Sequence, residues 1–304
     1  MKKITIFTPT YNRRNLLGRL YESLKAQTNK NFVWLVVDDG SSDNTEEVIN
    51  EYKKEKAVEI QYFYKENGGK HTAIDFAHEH CTTKYIACVD SDDYLTENAI
   101  DELEELVKEI DNNEDCVGIV LRRANTDLQP FSDVWPEKDG PLYFHELSYK
   151  VGYKKDTFLV FKTDIVKQFK FPRVEGERFV TEKAFYNEFL YTYKMLTSAK
   201  LLYVGEYQDE GYTSGALKLL FKNPQGFLYA FKSDAYYFTK YNVNLKETVL
   251  AWARYYVWKR LNKFNDLYKD KVQIKSFKKV LGWMFSLALY FRYKKKKKIF
   301  MKGL

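Results

Sequence analysis

The chain has 304 residues, of which 45% are hydrophobic and 30% are charged, a composition that excludes an intrinsically disordered protein. The net charge of +7 is concentrated in a C-terminal block of five lysines at residues 294–298, which argues against a general nucleic-acid-binding surface. The three cysteines form no C-x-x-C pair, so a disulfide framework is disfavoured and a reducing compartment is expected.

Apolar runs and helical patterns alternate along the first 120 residues. The predicted strands are residues 4–8, 32–37, 58–64, 85–89 and 117–121. The predicted helices are residues 15–27, 45–55, 70–80 and 96–110. This alternation predicts an α/β fold with a mostly parallel sheet that is covered by helices on both faces. Beyond about residue 217 the pattern is helical and aromatic, which predicts a C-terminal helical extension.

The unusual polar residues lie where the predicted strands end. The segments TPTYNR, VDDGSSD, KENGGKH and VDSDDY each follow one of the first four strands. Any one of them alone is explained as an ordinary turn, because Pro, Gly, Asn, Asp and Ser dominate turns. All four at one edge of a parallel sheet, where such sheets bind ligands, favour a binding site.

Asp90 and Asp92 form a D-x-D pattern after the fourth strand, and Asp93 adds a third carboxylate. On an extended chain residues i and i+2 point the same way, so Asp90 and Asp92 are expected to present oxygens to one hard cation. Mg²⁺ and Mn²⁺ take oxygen ligands and commonly bridge to substrate phosphates. The segment therefore predicts a metal ion with a bound diphosphate, and which of the three carboxylates ligates it stays open.

The ordered set TPTYNR, VVDDGSSD, NGGK, VDSDD and FVTEKAF resembles the family 2 inverting glycosyltransferases of the GT-A fold. The resemblance implies a Rossmann-like GT-A domain at residues 1–215, with a nucleotide-sugar-binding half at 1–120 and an acceptor and catalytic half at 121–215. Residues 216–304 then form the helical extension with a basic tail. The implied donor is a nucleotide sugar, usually UDP-hexose or UDP-N-acetylhexosamine, and the implied acceptor is a hydroxyl of a glycan or a polyprenyl-linked molecule.

The resemblance also implies a uridine pocket lined by Thr8, Pro9 and Tyr11, with the Tyr11 ring against the base. Asp39 would accept a hydrogen bond from the uracil imide N–H, since a carboxylate accepts but cannot donate. The alternative is that Asp38 and Asp39 only shape a turn. The remaining implied contacts, with ribose, diphosphate and metal, are those of Gly69, Lys70, Asp90, Ser91 and Asp92.

Gly69 and Lys70 stand at the predicted start of the third helix, where glycine allows close backbone approach and amide donors favour phosphate. Lys70 would add a point charge for the diphosphate. The resemblance assigns Asp90 to ribose or metal and Asp92 to direct metal ligation.

Inversion requires a base that deprotonates the acceptor hydroxyl, and many relatives carry an acidic residue for it at the start of a helix. The segment GERFVTEKAF matches that position, which makes Glu182 the candidate base, with Glu175 and Glu177 as rivals. A helix start favours acidic residues in any case, because its exposed amides attract negative charge. The segment YQDEGYTSG at residues 207–215 resembles one that closes over the donor, and a surface turn is its alternative.

Residues 280–300 combine an apolar, aromatic stretch with the lysine block. The segment predicts a helix at an anionic membrane surface, and a packed terminal helix with a solvated tail is the alternative. No run reaches the roughly 20 apolar residues of a spanning helix, and the N-terminus lacks the apolar core of a signal peptide. A cytoplasmic protein, peripheral to the inner face of the cell membrane, is therefore expected.

Two other functions stay open from the sequence. One is a non-catalytic module that binds nucleotide sugars or membranes. The other is a nucleotidyltransferase that makes sugar nucleotides, although its glycine-rich phosphate loop has no counterpart in TPTYNRRN. A dinucleotide dehydrogenase is disfavoured because no G-x-G-x-x-G follows the first strand. An RNA-binding role for the lysine tail is disfavoured because no interleaved stacking residues accompany it.

Overall fold

The computed structural model describes residues 2–205, 216–263 and 276–302. The chain divides into two compact units, the first of Met1–Lys170 and Thr192–Tyr207 and the second of Phe171–Tyr191 and Gln208–Leu304. The domain boundary expected after residue 215 adjoins a segment outside the described residues, and it stays a prediction.

The first unit is built on a nine-stranded sheet within the described part of the chain. The strands are β1 (Ile4–Thr10), β2 (Phe32–Asp38), β3 (Ile60–Tyr64), β4 (Tyr85–Cys88), β5 (Tyr94–Leu95), β6 (Cys116–Ala124), β7 (Pro141–Tyr143), β8 (Thr157–Lys162) and β9 (Lys194–Val204). The helices are α1 (Leu17–Lys25), α2 (Thr45–Glu55), α3 (Lys70–His80), α4 (Ala99–Ile110), α5 (Phe144–Glu146) and α6 (Thr163–Val166), with a π-helical turn at Leu147–Val151. All five strands and four helices predicted for the first 120 residues are present.

The strand order is β3-β2-β1-β4-β8-β6-β9-β5, with β7 paired to β9 off this path. The first four strands form the expected parallel half, in which β1 lies between β2 and β4 and β3 forms the edge. Beyond β4 the sheet is mixed, because β8 runs antiparallel to both β4 and β6 while β6 and β9 run parallel. The parallel pairing is therefore confined mainly to the region of strict strand and helix alternation.

The first two strands and the helix between them are packed into one core. Every residue of β1 and β2 is buried, as expected for strands that are covered on both faces. Helix α1 buries Leu17, Leu20 and Leu24, because apolar residues three or four apart share one helix face. These side chains share one core with Trp34 of β2, and each contributes about 1.5–3 kcal/mol through burial. The carboxyl ends of β1, β2 and β4 lie at one edge because these strands are parallel neighbours.

The second unit contains the predicted helical extension. Its described helices are α7 (Glu182–Tyr186), α8 (Ala216–Lys222), α9 (Pro224–Lys240), α10 (Leu245–Asn262) and α11 (Phe277–Lys302). Helix α11 approaches α10 closely at Gly282, where an added Cβ would collide with Trp252. No helix in the described ranges has the length and apolar content needed to cross a bilayer.

Candidate functional site

The three carboxylates after β4 lie on a turn, which we call the acidic turn (residues 90–93). The N–H of Asp93 donates to the carbonyl oxygen of Asp90 at 3.1 Å and closes it. Val89 makes the last ladder bond to β1, so the chain leaves the sheet before Asp90. The expectation that Asp90 and Asp92 lie on an extended chain is therefore wrong, because the pairing that would hold the chain extended ends one residue earlier.

The two carboxylates of the D-x-D pattern each contact a basic side chain. Lys70 Nζ lies 2.8 Å from Asp90 Oδ1, and Arg13 Nη1 lies 3.1 Å from Asp92 Oδ2. Arg19 of α1 also donates to the carbonyl oxygen of Asp92. Lys70 was predicted to belong to this site, whereas Arg13 and Arg19 were not. Arg13 could have been predicted from its place in the first strand-end motif, where it directly follows TYN.

Asp93 is 3% exposed and is bound by two side chains from distant strands. Its Oδ2 accepts from Arg123 Nη2 at 2.6 Å and from the Tyr203 hydroxyl at 2.5 Å. The Tyr203 oxygen also accepts the N–H of Asp90 at 3.2 Å, so one hydroxyl connects both ends of the acidic turn. Burial raises the pKa of Asp93 to about 6, although Arg123 and Tyr203 act to lower it. The Asp93 side chain is less exposed than those of Asp90 and Asp92, which remain the candidate metal ligands.

The sheet brings these partners to the acidic turn. The short strand β5 follows the turn directly, and its Leu95 pairs with Tyr203 of β9. Arg123 of β6 pairs with Tyr203 in the next ladder, and its guanidinium lies 4.2 Å from the centre of that ring. A Cβ at Gly205 would collide with the Asp93 carboxylate and the Arg123 guanidinium, so a larger residue here would force these side chains to shift. The register of β9 therefore sets the position of the acidic turn.

Asp39 binds the backbone of Gly68 and Gly69, the two residues before α3, which we call the glycine loop. Its carboxylate accepts the N–H groups of Gly68 at 3.0 Å and Gly69 at 2.7 Å, and Lys65 Nζ lies 2.5 Å from its Oδ1. Gly69 has a φ of 93°, a left-handed conformation that favours glycine. These two glycine amides therefore bind an internal carboxylate. The contact of Asp39 with uracil stays a prediction, and Asp39 itself is only 3% exposed.

The end of β1 separates into buried and exposed positions. Thr8 is fully buried, and its hydroxyl accepts from Trp34 Nε1 at 2.9 Å. Pro9 is also buried, whereas the Tyr11 side chain is 46% exposed. Of these three predicted uridine contacts, Tyr11 presents an open ring. Ser91 of the acidic turn is buried, and the nucleotide contacts of all these residues stay predictions.

The oxygen ligands offered by Asp90 and Asp92 fit a hard divalent cation. Burial acts to raise the pKa of Asp90, but the charges of Lys70, Arg123 and Arg13 together outweigh it and the net pKa is lowered, so this carboxylate is charged. No group of three His, Cys, Asp or Glu side chains in the described ranges is arranged to hold a metal. Mg²⁺ commonly takes one or two carboxylates and completes its shell with water and substrate phosphates. The residues present fit that kind of site, in which the donor supplies ligands.

Glu182 belongs to the second unit, where it is the first residue of α7. Thr181 caps this helix by accepting the N–H of Ala184 at 3.4 Å. Tyr186 lies one helical turn after Glu182, and its hydroxyl donates to Glu182 Oε2 at 3.0 Å. This bond fixes the position of the carboxylate. The predicted helix start is present, and the role of Glu182 as a base stays a prediction.

Glu177, one of the two rival bases, caps a different helix. Its carboxylate accepts the N–H groups of Gln225 and Gly226, both at 2.8 Å, at the start of α9. The first amides of a helix have no partner within it, so Glu177 satisfies two of them. Burial raises the pKa of Glu177, although these bonds act to lower it. Glu175 is exposed, and the predicted closing segment at 207–215 lies outside the described residues.

Comparison with known proteins identifies relatives of this chain. Residues 5–169 match the model of glycosyl transferase family 2. An uncharacterized glycosyltransferase of Rickettsia felis is 39% identical over 99 residues, which cover 33% of this chain. The chain spans only 16% of the length of that relative.

Two solved structures share the fold of the chain. S. aureus TarS 1-349 in complex with UDP-GlcNAc superposes with a TM-score of 0.63 at 18% identity, covering 95% of this chain and 80% of that one. The mannosyltransferase PcManGT from Pyrobaculum calidifontis, in complex with GDP-Man and Mn²⁺, gives a TM-score of 0.56 at 15% identity, covering 98% and 84%. The GT-A fold expected from the motifs is confirmed. Because the family model covers more than half of the 304 residues, the chain belongs to glycosyl transferase family 2.

Proposed function

We propose that this protein is a metal-dependent inverting glycosyltransferase that moves a hexose or N-acetylhexosamine from UDP to a hydroxyl of a glycan or lipid-linked acceptor. One observation carries the proposal. Asp39 binds the N–H of Gly69, and the next residue, Lys70, binds Asp90. The strand-end motifs that follow β2, β3 and β4 are therefore contiguous in space at the edge where parallel sheets bind ligands.

The solved relatives support a nucleotide-sugar donor. TarS was captured with UDP-GlcNAc and the mannosyltransferase with GDP-Man and Mn²⁺, and both have the fold described above. We infer UDP for this chain from the motif resemblance, with the exposed Tyr11 ring against the base.

The proposed chemistry is a single displacement at the anomeric carbon. Glu182 takes the proton of the acceptor hydroxyl, the acceptor oxygen bonds to the anomeric carbon, and the bond from that carbon to the diphosphate oxygen breaks. A divalent ion held by Asp90 and Asp92 would stabilise the charge that develops on the departing diphosphate. Lys70 would contribute a further positive charge.

A donor screen tests this function. Thermal unfolding of the full chain is measured with Mn²⁺ and one donor at a time, from UDP-glucose, UDP-galactose, their N-acetyl forms and GDP-mannose. We expect a UDP-sugar to raise Tm, because a ligand that binds the folded state stabilises it, and we expect EDTA to abolish that rise. Donor hydrolysis by the stabilised complex would separate an enzyme from a non-catalytic binding module. Absence of a shift with every donor would contradict the proposal.

We also propose that α11 attaches the protein to an anionic membrane surface. One side of this helix packs on α10 through buried Gly282 and Ser286. The other side is apolar and open, with exposed fractions between 42% and 73% at Phe277, Val280, Met284, Leu287 and Phe291. At 100° per residue these five share one stripe, and Lys295 and Lys298 continue it toward the C-terminus.

The order of apolar and basic residues along this stripe favours a bilayer that contains acidic lipids. Apolar side chains suit the acyl boundary of a bilayer, and each lysine near acidic lipids contributes about 1 kcal/mol. Cosedimentation of the full chain with phosphatidylglycerol vesicles should exceed that with phosphatidylcholine vesicles. Phe291→Ser should weaken that binding about tenfold, since the aromatic side chain no longer enters the bilayer. Leu128→Ser, which changes a 52% exposed residue of the first unit, is the matched control. Equal binding to both vesicle types would rule out an anionic partner.

A further inference from the structure

The carboxylates around the acidic turn and the neighbouring glycine loop are already balanced by basic side chains. The pairs, with 2.5–3.1 Å between charged atoms, are Asp39 with Lys65, Asp90 with Lys70, Asp92 with Arg13 and Asp93 with Arg123. A divalent cation added to Asp90 and Asp92 would therefore bring two positive charges to carboxylates that basic side chains already contact.

The four pairs differ in their exposure to water. The side chains of Arg123 and Asp93 are 14% and 5% exposed, so that pair is held inside the protein. The side chains of Lys70 and Asp90 are 23% and 35% exposed, and those of Arg13 and Asp92 are 37% and 14% exposed, so each of these pairs has at least one partner open to water. Water screens exposed ion pairs, so the pairs of Asp90 and Asp92 cost less to separate.

We propose that Arg13 and Lys70 exchange partners when the donor binds. The divalent cation takes the carboxylates of Asp92 and Asp90, and the two basic groups move to the diphosphate. This inference rests on the proposed function and deepens it, because it makes Arg13 a donor-binding residue. The guanidinium suits that role, since its planar fork binds phosphate oxygens in pairs.

Charge conservation supports the exchange. The diphosphate of a nucleotide sugar carries two negative charges, which equal the two positive charges of the ion. Binding both ligands therefore leaves the net charge of the region unchanged. Binding of the ion alone displaces Arg13 and Lys70 from Asp92 and Asp90 without supplying a diphosphate. Binding of the nucleotide alone removes those groups from Asp90 and Asp92. Each ligand should consequently bind weakly alone and strongly with the other, which is positive coupling between them.

Calorimetric titration of the full chain with Mn²⁺ alone, UDP alone and UDP in the presence of Mn²⁺ tests the exchange. Arg13→Gln should bind Mn²⁺ alone about 3- to 10-fold more tightly, because Asp92 loses its internal counter-ion. The same variant should bind UDP with Mn²⁺ about 10- to 100-fold more weakly, because the diphosphate loses a charged donor. Lys70→Gln should show the same two opposite changes. A residue that only supports the fold would not strengthen metal binding.

Arg13→Lys keeps the charge and should retain the wild-type Mn²⁺ affinity with a smaller loss of UDP affinity. Arg14→Gln, the matched control, changes a neighbour whose backbone N–H contacts Asp43 at 2.9 Å, and both affinities should stay at wild-type values. Thermal unfolding without ligands establishes that each variant is folded. Weaker Mn²⁺ binding by Arg13→Gln, or unchanged UDP binding, would overturn the exchange. Failure of the wild-type chain to bind UDP with Mn²⁺ would overturn the proposed function itself.

Discussion

Tyr203 and Asp93 are joined by a 2.5 Å hydrogen bond between two side chains that lie 110 residues apart in the chain. Both residues are 3% exposed. Because the same Tyr203 oxygen accepts the N–H of Asp90, a residue on β9 fixes the first and last positions of the acidic turn. The geometry of the two candidate metal ligands, Asp90 and Asp92, therefore depends on a strand that the local motif does not contain.

Replacing Tyr203 by phenylalanine should disturb the proposed donor site while leaving the fold intact. The change removes one donor and one acceptor from buried partners, so unfolding in urea should show a loss of about 1–3 kcal/mol. UDP binding in the presence of Mn²⁺ should weaken about tenfold, because the acidic turn loses its fixed ends. Both quantities are measured on the same preparation, by urea titration and calorimetry.

Tyr85→Phe is the matched control for this variant. Its buried hydroxyl donates to Asp111, whose side chain is 27% exposed, at the other end of β4. The control should lose a smaller free energy of unfolding, because Asp111 stays in contact with water, and it should retain wild-type UDP binding. Equal loss of UDP binding in both variants would mean that Tyr203 acts only through overall stability.

Gly205→Ala should disturb the contacts among Asp93, Arg123 and Tyr203 by crowding these side chains. The added Cβ would collide with the Asp93 carboxylate and the Arg123 guanidinium, which are tied to each other and to Tyr203. Overpacking of this kind costs about 1–3 kcal/mol, and Mn²⁺-dependent UDP binding should fall with it. Gly140→Ala is the control, since its Cβ would meet no atom within 4 Å. A wild-type melting curve for Gly205→Ala would show that Asp93 and Arg123 can shift without loss of stability.

The fold of the first 120 residues was predictable because each element carries its own local pattern. Helices α2 and α3 begin and end where the apolar spacing predicted, and the parallel pairing followed from their alternation with strands. The partners of Asp93 were not predictable, since Arg123 and Tyr203 lie 30 and 110 residues away and no local pattern marks such a contact. The turn at Asp90 was missed because an apolar run does not show where its ladder bonds end.

The glycine loop illustrates the same limit. The motif NGGK predicted a backbone that approaches a ligand, and the structure shows that the amides of Gly68 and Gly69 bind Asp39. That contact arises because β2 and β3 are parallel neighbours, which places their carboxyl ends side by side. Sequence spacing alone supplies the residue types for a phosphate site but not the identity of the anion that the amides bind.

Glu182→Gln tests the proposed base. The amide cannot accept the acceptor proton, so sugar transfer should fall by about 10²- to 10⁴-fold while donor binding persists. Turnover is measured with the donor that the thermal screen identifies, and donor affinity by calorimetry. Transfer at the wild-type rate would remove Glu182 from the mechanism.

Glu177→Ala separates catalysis from helix capping. Loss of its carboxylate leaves the N–H groups of Gln225 and Gly226 without their acceptor, which should cost about 0.5–2 kcal/mol in urea unfolding. Turnover per folded molecule should stay near the wild-type value. The reverse result, stable protein with turnover reduced a hundredfold, would make Glu177 the better candidate base.

Buried His78 should make the stability of the first unit sensitive to acid. His78 lies on α3 and is 6% exposed, and burial together with the charge of Lys167 lowers its pKa to about 4. In the unfolded chain a histidine takes up its proton near pH 6.5. Between pH 6.5 and 4 the unfolded state therefore binds more protons than the folded state, and stability falls as the pH falls. Over the whole interval the loss should reach about 3 kcal/mol.

The difference between wild type and His78→Gln isolates this effect from the carboxylates that titrate in the same range. Free energies of unfolding in urea are measured for both at several values between pH 7.5 and 4. At pH 7.5 the variant should be less stable, because its amide is buried where a neutral ring packed. As the pH falls through 6.5 the wild type should lose stability faster, so the two curves should converge. Parallel curves across this interval would show that His78 takes up its proton at the same pH in the folded and the unfolded chain.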